Sequence, residues 1–235
     1  MKRFFAILCA VLDVWLAAML CQPCYAADTL RRDSLMLTTG VEVVFKAGTH
    51  YRTDKRGLVV EGTPAQEVDL WTPGPMILFS SSGPIRLNAE GRVVAGVLGA
   101  NALINCADNV FREFARENRV VFNDEGLLMR GTLVGAIPFV VNGQEFLSQP
   151  YKPIGFYPSG KIHLVHPQGN FRFSTADGTR VVISGSSWIE ISEKGTFLRG
   201  ALLRKLSFRN QSGEVVHLNP GDIIRMDEDG NIISY

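Results

Sequence analysis

The amino-acid sequence predicts an all-β protein built from tandem β-hairpins. Glycines recur every 17 or 18 residues, apolar and polar residues alternate between them, and short runs rich in Val, Ile and Phe are bounded by turn residues. Regular spacing of this kind marks a repeat architecture, and alternation with a period of two marks strands that have one buried face. The predicted fold is therefore an elongated, twisted or rolled antiparallel sheet or a β-solenoid.

A series of glycines marks the predicted turns. Asn109 replaces a glycine at one step of the series, and Asn is the other residue that enters the left-handed backbone region at low cost. The units are of two alternating kinds, so 17-residue half-repeats make full repeats of 34 or 35 residues. The predicted structural turn glycines are Gly40, Gly57, Gly74, Gly91, Gly126, Gly143, Gly160, Gly178, Gly195, Gly213 and Gly230.

The residues between the glycines predict the strands. An intervening residue that is mostly polar separates successive apolar ones, which gives each strand a buried and a wet face and favours antiparallel pairing. Four of these units place a second glycine five residues after the first, at Gly62, Gly96, Gly131 and Gly200. One apolar column, six residues before the turn glycines, consists of Tyr51, Ile85, Val120, Ile154, Ile189 and Ile224.

About two dozen strands spaced about 4.8 Å apart would make a flat sheet over about 100 Å wide, with one whole apolar face in water. Because right-handed twist makes a long meander curl, we expect the sheet to roll up with its Ile and Phe columns inside. Residues 108–118 also fit a helix, with an N-cap residue and good helix formers, but undisturbed spacing on both sides favours a strand. Leu35, Met36 and Leu37 predict an opening strand.

Residues 1–26 predict a cleaved signal peptide, which leaves a single β-hairpin repeat domain at 27–235. Lys2 and Arg3 precede an apolar run, and small residues before Ala27 fit a signal peptidase site. A transmembrane anchor is the alternative, but Asp13 interrupts the apolar run, and a charge in the middle of a bilayer is costly. We therefore expect an exported protein, periplasmic or extracellular, with no membrane anchor after cleavage.

Charge and cysteine content limit the classes of partner and the source of stability. Lys2, Arg3 and Asp13 leave with the signal peptide, so the remaining chain is formally neutral and gives no electrostatic basis for binding nucleic acid. Cys106 is the one cysteine outside residues 1–26, so it cannot close a disulfide within the domain, and its apolar neighbours predict a buried structural thiol.

The repeats resemble those of bacterial β-hairpin repeat proteins, of which the MORN family is the best-known relative in style. The resemblance rests on an aromatic or aliphatic residue four positions before a turn glycine, and on a glycine–x–apolar–x–x–glycine run after it, as in Phe122 and residues 126–131. It covers residues 35–235, although the 17-residue half-repeats are shorter than MORN units and lack their Tyr and Trp motifs. The resemblance implies a repetitive β-scaffold used for contacts, and it transfers no catalytic residue.

The sequence contains no recognisable catalytic, cofactor-binding or metal-binding constellation, so we predict no catalytic residue, no cofactor and no metal ion. His163 and His166 are three residues apart, which on a strand places them on opposite faces. Residues 227–231 resemble part of a calcium loop but lack its other ligands, and acidic residues in this position are interpreted as turn residues. Trp71 and Trp188 are interpreted as core residues, with exposed ligand platforms as the alternative.

These features favour an exported, non-enzymatic protein that acts as a scaffold or protein-interaction surface in the bacterial envelope, with an envelope protein or a polysaccharide as partner. A long, even surface suits extended ligands, whereas catalysis needs a unique constellation that breaks the repeat. The alternative is a carbohydrate- or cell-wall-binding module, which would show exposed aromatic residues at matching positions of the repeat. A third possibility is an enzyme with a pocket near the least regular unit, residues 100–118.

Overall fold

The structure is a computed structural model that describes residues 35–36, 42–106, 110–210 and 212–235. Within this part of the chain the regular structure consists of β-strands, with no helix. The predicted signal peptide, Gly40 and Asn109 lie outside the described residues. The all-β prediction and the prediction of tandem hairpins are confirmed.

Half of the described strands form one antiparallel sheet of 12 strands, in which six hairpins follow one another in chain order. Each hairpin pairs with the next through its neighbouring strands, so the sheet is a continuous meander of hairpins. With strands numbered along the whole chain, these sheet hairpins are β3 (Arg52–Thr53) with β4 (Val59–Gly62), β7 (Ile85–Leu87) with β8 (Val93–Val97), β11 (Arg119–Phe122) with β12 (Leu128–Thr132), β15 (Pro153–Phe156) with β16 (Ile162–Val165), β19 (Ile189–Ile191) with β20 (Phe197–Ala201), and β23 (Ile223–Met226) with β24 (Ile232–Ser234).

The other half form separate two-stranded hairpins, which alternate with the sheet hairpins along the chain. We call them cover hairpins, because their buried side chains belong to the same hydrophobic cluster as those of the sheet. They are β1 (Leu35–Met36) with β2 (Glu42–Val43), β5 (Val68–Trp71) with β6 (Met76–Phe79), β9 (Ala102–Asn105) with β10 (Phe111–Phe114), β13 (Pro138–Val141) with β14 (Gln144–Leu147), β17 (Phe171–Ser174) with β18 (Arg180–Ile183), and β21 (Leu206–Arg209) with β22 (Val215–Leu218).

This arrangement differs from a single ribbon that hides its apolar face by curling alone. After a sheet hairpin the chain leaves the sheet, and isolated bridges such as Phe79 to Leu98 and Phe114 to Leu133 connect cover hairpins to the sheet layer. The alternate hairpins therefore supply a second layer over the apolar face of the sheet. Two layers around one core are a general way to bury such a face.

Three local predictions concern short segments or a single residue. Residues 111–114 are strand β10 and residues 116–118 form a turn, so the strand interpretation of this region is confirmed over its described part. Leu35 and Met36 form strand β1, as predicted, and Leu37, the third residue of the predicted opening strand, lies outside the described residues. Cys106 is 1% exposed, which confirms that its thiol is buried.

The turns of the sheet hairpins share one construction. In the turn from Asp227 to Asn231, the Gly230 N–H donates to the Asp227 carbonyl, and the Asp227 N–H donates to the Asn231 carbonyl. This is a three-residue loop whose last residue is in the left-handed region, a common connection in hairpins. Nine of the predicted turn glycines have φ between 73° and 88°: Gly57, Gly91, Gly126, Gly143, Gly160, Gly178, Gly195, Gly213 and Gly230.

Gly74 is the described glycine of the series that does not have a positive φ. It lies between Pro73 and Pro75 at the tip of the β5–β6 hairpin, where the Thr72 hydroxyl accepts a hydrogen bond from the Gly74 N–H at 3.1 Å. The same hydroxyl donates to the Pro75 carbonyl at 2.7 Å. A side chain thus closes this tip, and the backbone does not need the left-handed conformation there.

Polar side chains at the first position of the loops satisfy the turn backbone. The Asp227 carboxylate accepts from the N–H of Asp229 at 3.1 Å and from that of Asn231 at 2.8 Å, which confirms the interpretation of this acidic run as a turn. The hydrogen bond from the Asn231 N–H is the main reason that the pKa of Asp227 lies below its usual value. Equivalent acceptors in other loops are Asp54, Asn88, Asn123, Ser192 and Asn210.

Each sheet hairpin also contains a β-bulge at the same place. In the first, Thr53 pairs with Val59 and Arg52 pairs with Glu61, so Val60 has no partner across the hairpin. The same register shift recurs in the other five sheet hairpins. Because one extra residue reverses the alternation beyond it, Gly62 faces the core, where a substituent would meet the ring of Phe45.

The second glycine of each repeat makes room for a side chain from a cover hairpin. A Cβ placed at Gly96 would lie 2.5 Å from Cδ1 of Phe79, and one at Gly131 would lie 2.6 Å from Cδ1 of Phe114. Val165 and Tyr235 occupy the glycine position in the other two sheet hairpins, and in the hairpin of Val165 the residue 17 positions earlier is Ser148 in place of a phenylalanine. A larger sheet residue is matched by a smaller cover residue there.

We expect Gly96→Val to lower the free energy of unfolding by about 1–3 kcal/mol, because the new side chain must displace the Phe79 ring. Adding Phe79→Ser should recover part of this loss by reproducing the arrangement at Ser148 and Val165. Chemical denaturation measures both effects. Gly135→Val is the control, since nothing lies within 4 Å of a Cβ at Gly135; additive losses in the double variant would contradict the proposed volume match.

Gly126→Val should lower stability by about 1 kcal/mol or more, because a β-branched side chain resists the φ of 88° found there. A Cβ at Gly126 would also lie 2.9 Å from the backbone of Pro73 and Gly74. Gly57→Val is the matched variant, with φ of 80° and nothing within 4 Å. Thermal melts should show a larger loss at Gly126 than at Gly57, and equal melting temperatures for Gly126→Val and wild type would remove the turn assignment.

Candidate interaction surface

The face of the cover hairpins that points away from the sheet is a row of side chains with no layer of the described chain over it. Strand alternation gives each hairpin four outward positions, and in β5–β6 these hold Asp69, Trp71, Met76 and Leu78. Trp71 lies opposite Met76, and Asp69 lies opposite Leu78. The five cover hairpins from β5–β6 to β21–β22 together provide twenty such positions.

Large apolar side chains are concentrated at one end of this row. Trp71 is 56% exposed and Met76 is 53% exposed, while Leu103 and Phe111 on the neighbouring β9–β10 hairpin are 67% and 64% exposed. We call these four residues the apolar patch. The interpretation of Trp71 as a core residue was wrong, because its ring occupies an outward position of its hairpin and the core is filled by Leu70.

A groove of about 240 Å³ joins the two hairpins of the patch. Its walls include Met76 and Leu78 on one side and Ala102 and Leu103 on the other. An enzyme with its active site near residues 100–118 would need a pocket that brings ionisable groups together. No histidine or carboxylate lines this groove, so the groove is not such a pocket. The groove offers both apolar and polar surface between the two hairpins, because Asn101 also lines it.

The exposed aromatic residues do not recur at matching positions. The outward position of Trp71 is taken in the following hairpins by Asn105, Val140, Ser174 and Arg209. The position of Phe111 is taken by Met76 in the preceding hairpin and by Glu145, Arg180 and Val215 in the following ones. The surface is therefore regular in its backbone but different in chemistry from one hairpin to the next.

The charges on this face are separated into two groups. The first three of the five hairpins carry carboxylates at outward positions, and the last two carry guanidinium groups. The remaining outward positions hold no Asp, Glu, Lys or Arg, and none of the ion pairs among the described residues involves these six groups. The exposed residues are Asp69, Glu113 and Glu145, then Arg172, Arg180 and Arg209.

A second groove, of about 330 Å³, lies at the tips of the β13–β14 and β17–β18 hairpins. Its walls combine the amide of Gln144, the hydroxyl of Thr196 and the carboxylates of Glu228 and Asp229 with the half-buried ring of Phe173. Hydrogen bonds fix this region: Asn142 Oδ1 accepts from the Phe197 N–H at 3.0 Å, and the Asn142 N–H donates to Gly195 O at 2.8 Å. The groove offers polar contacts to a small ligand.

A pair that the sequence analysis missed lies on the outward face of β21–β22. Ser207 Oγ and His217 Nδ1 are 2.8 Å apart, because the hairpin register places these residues opposite each other. Serine beside histidine can act as a nucleophile with its base when a third group orients the ring. Both residues are exposed, and among the described residues no hydrogen bond orients the other nitrogen of His217.

The remaining candidates are distributed over the molecule. The ring of His163 contacts that of Tyr157, with centroids 4.7 Å apart. Trp188 is half-buried, and the guanidinium of Arg199 lies 4.7 Å from its ring centroid. Within the described ranges no group of three or more His, Cys, Asp or Glu side chains is placed to hold a metal ion.

No family model matches the chain, and no curated protein matches it. In the part of the chain that the structure describes, no helix is long and apolar enough to cross a membrane.

His166 should make stability depend on pH. Its Nδ1 is buried without a hydrogen-bond partner, and burial, followed by the charge of Lys152, lowers its pKa below the usual 6.5. The unfolded chain therefore binds the proton more tightly than the folded chain does. The contribution of neutral His166 to the free energy of unfolding is fully present above pH 6.5 and is lost as the pH falls through the folded-state pKa. His166→Gln should reduce this acid sensitivity in denaturation measurements between about pH 7 and 5.

Lys152→Gln is the complementary variant. Removing this charge should raise the pKa of His166 toward its usual value, which NMR titration of the imidazole would measure. An unchanged His166 midpoint in Lys152→Gln, together with unchanged acid sensitivity in His166→Gln, would contradict the assignment.

Proposed function

We propose that this chain is an exported, non-enzymatic β-hairpin repeat protein of the bacterial envelope whose cover hairpins form a contact surface for another protein. The observation that carries the proposal is the apolar patch of Trp71, Met76, Leu103 and Phe111, whose side chains are all more than half exposed on adjacent hairpins. Contiguous exposed apolar surface is uncommon on soluble monomers and marks interaction sites. Aromatic residues and methionine are also enriched in protein interfaces.

The distribution of the other exposed apolar residues supports the same face. Of the 13 large hydrophobic residues exposed in the described part of the chain, seven occupy outward positions of cover hairpins. The seven are Trp71, Met76, Leu103, Phe111, Val140, Leu147 and Val215. The sheet layer has fewer such residues because its open face pairs long polar side chains, such as Arg52 with Glu61 at 3.4 Å.

The proposal includes two finer points. We propose that the repeats are MORN-like in style, on the glycine–x–apolar–x–x–glycine run that follows Phe122. We also propose an elongated, rolled form for the 12-stranded sheet, because strand twist and the bulge in every sheet hairpin both favour curvature. Export and signal cleavage after Ala26 remain part of the proposal on the basis of the sequence.

The double variant Trp71→Ser/Phe111→Ser tests the contact surface. Immobilised protein should capture a partner from envelope extract, and the double variant should lose at least about tenfold in affinity, since buried aromatic anchors dominate interfaces. Circular dichroism should show an unchanged fold, because both side chains point away from the core.

Tyr151→Ser is the matched control. Tyr151 is 66% exposed but lies outside the apolar patch, in the segment before β15, so this variant should bind as wild type does. Capture that survives in the double variant, or that is lost equally in the control, would contradict the assignment of the binding surface.

The carbohydrate-binding alternative is favoured by the polar groove beside Gln144, Thr196 and Glu228, whose amide, hydroxyl and carboxylate groups suit a sugar. The non-matching positions of Trp71 and Phe111 favour protein contact over a repeating polysaccharide. Binding of a purified glycan with no protein captured, and with Gln144→Ala reducing the binding, would establish the alternative.

A further inference from the structure

We propose that the outward face of the cover hairpins binds the same face of a second copy of this chain, with the two rows of hairpins antiparallel. This inference rests on the proposed function, because it identifies the partner of that same surface. The two-fold axis would lie in the interface and cross each row at the β13–β14 hairpin. A contact of this kind is self-complementary and closes at two subunits.

The separation of charge determines the orientation. Antiparallel rows place β5–β6 of one copy over β21–β22 of the other, and β9–β10 over β17–β18. Asp69 then lies on the hairpin opposite that of Arg209, and Glu113 on the hairpin opposite that of Arg172 and Arg180, all of them exposed in the single chain. Parallel rows would instead place like charges against each other, and this repulsion disfavours the parallel orientation. Glu145 lies on the hairpin at the axis, which meets its own copy in both orientations, so this residue does not distinguish them.

The apolar patch is compatible with the basic half of the second copy. In the antiparallel arrangement Trp71 and Phe111 meet the Arg-bearing hairpins, which also present Val182 and Val215. A guanidinium over an aromatic ring is attractive, and the chain already makes this contact internally between Arg199 and Trp188 at 4.7 Å. Burial of the patch and pairing of the charges therefore occur in the same docking geometry.

The size of the face is sufficient for a stable dimer. It has twenty outward positions, and each partner contributes about 20–30 residues to an interface of standard size. Near the proposed axis, Val140 is 50% exposed and Leu147 is 47% exposed, so apolar side chains of the two copies would meet there as well.

Charge reversal tests the proposal on protein purified in the form that cells accumulate. Sedimentation equilibrium and light scattering should show a dimer whose Kd increases with salt. Arg172→Glu/Arg180→Glu/Arg209→Glu and Asp69→Arg/Glu113→Arg should each weaken the dimer at least about tenfold. Mixing the two variants should restore dimers, because the four mixed contacts between these charged hairpins again pair opposite charges. Arg86→Glu/Arg225→Glu reverses two exposed charges on the open face of the sheet and should leave the dimer unchanged.

The outcomes separate this inference from the proposed function. A chain that stays monomeric at about 100 µM would overturn the dimer, and the proposed function would survive if Trp71→Ser/Phe111→Ser still abolished capture of a different protein. A dimer that resists both charge reversals would also overturn the inference. Two weakened variants that recombine into a mixed dimer would establish it.

Discussion

The contact between a cover-hairpin side chain and a small residue of the sheet controls how the two layers fit together. At Gly62, Gly96 and Gly131 a phenylalanine ring lies within 2.7 Å of the place that a Cβ would occupy. At Gly200 the cover residue is Ile183, whose Cγ2 lies 3.1 Å away. Val165 with Ser148 reverses the sizes, so the constraint acts on the combined volume of the pair and not on glycine as such. Close packing of this kind is sensitive to a single methylene group, and the close contact with glycine recurs in four of the six sheet hairpins.

Much of the fold could be predicted because turns and strand alternation are determined by residues close together in the sequence. A loop that ends in a left-handed residue requires glycine or asparagine, so turn positions such as Gly126 and Gly195 are visible as a spacing. Strand alternation is visible for the same reason. The division of the strands between one sheet and six cover hairpins could not be predicted, because both kinds of hairpin alternate apolar and polar residues alike. What separates them is long-range packing, such as Phe114 on Gly131.

The candidate surface was less predictable than the fold. Trp71 follows the buried Leu70 by one residue, and a shift of one residue moves a side chain to the other face of a strand. An aromatic residue in such a run gives no local sign of which face it occupies. The pairing of Ser207 with His217 and the division of charge between Asp69 and Arg209 likewise depend on hairpin register, which only becomes definite once the cover hairpins are recognised as a separate layer.

The difference between inward and outward positions determines what such a surface can recognise. Residues at inward positions and in turns repeat, because each hairpin packs against the same kind of neighbouring layer. Outward positions are not restricted by packing against the sheet, so one such position is occupied in successive hairpins by Trp71, Asn105, Val140, Ser174 and Arg209. A polymer with a uniform repeat would be matched best by identical contacts at each step. The face of the cover hairpins changes from apolar and acidic to basic along its length. Such a face favours a partner whose surface chemistry also changes along its length, because the two then fit in one orientation and register.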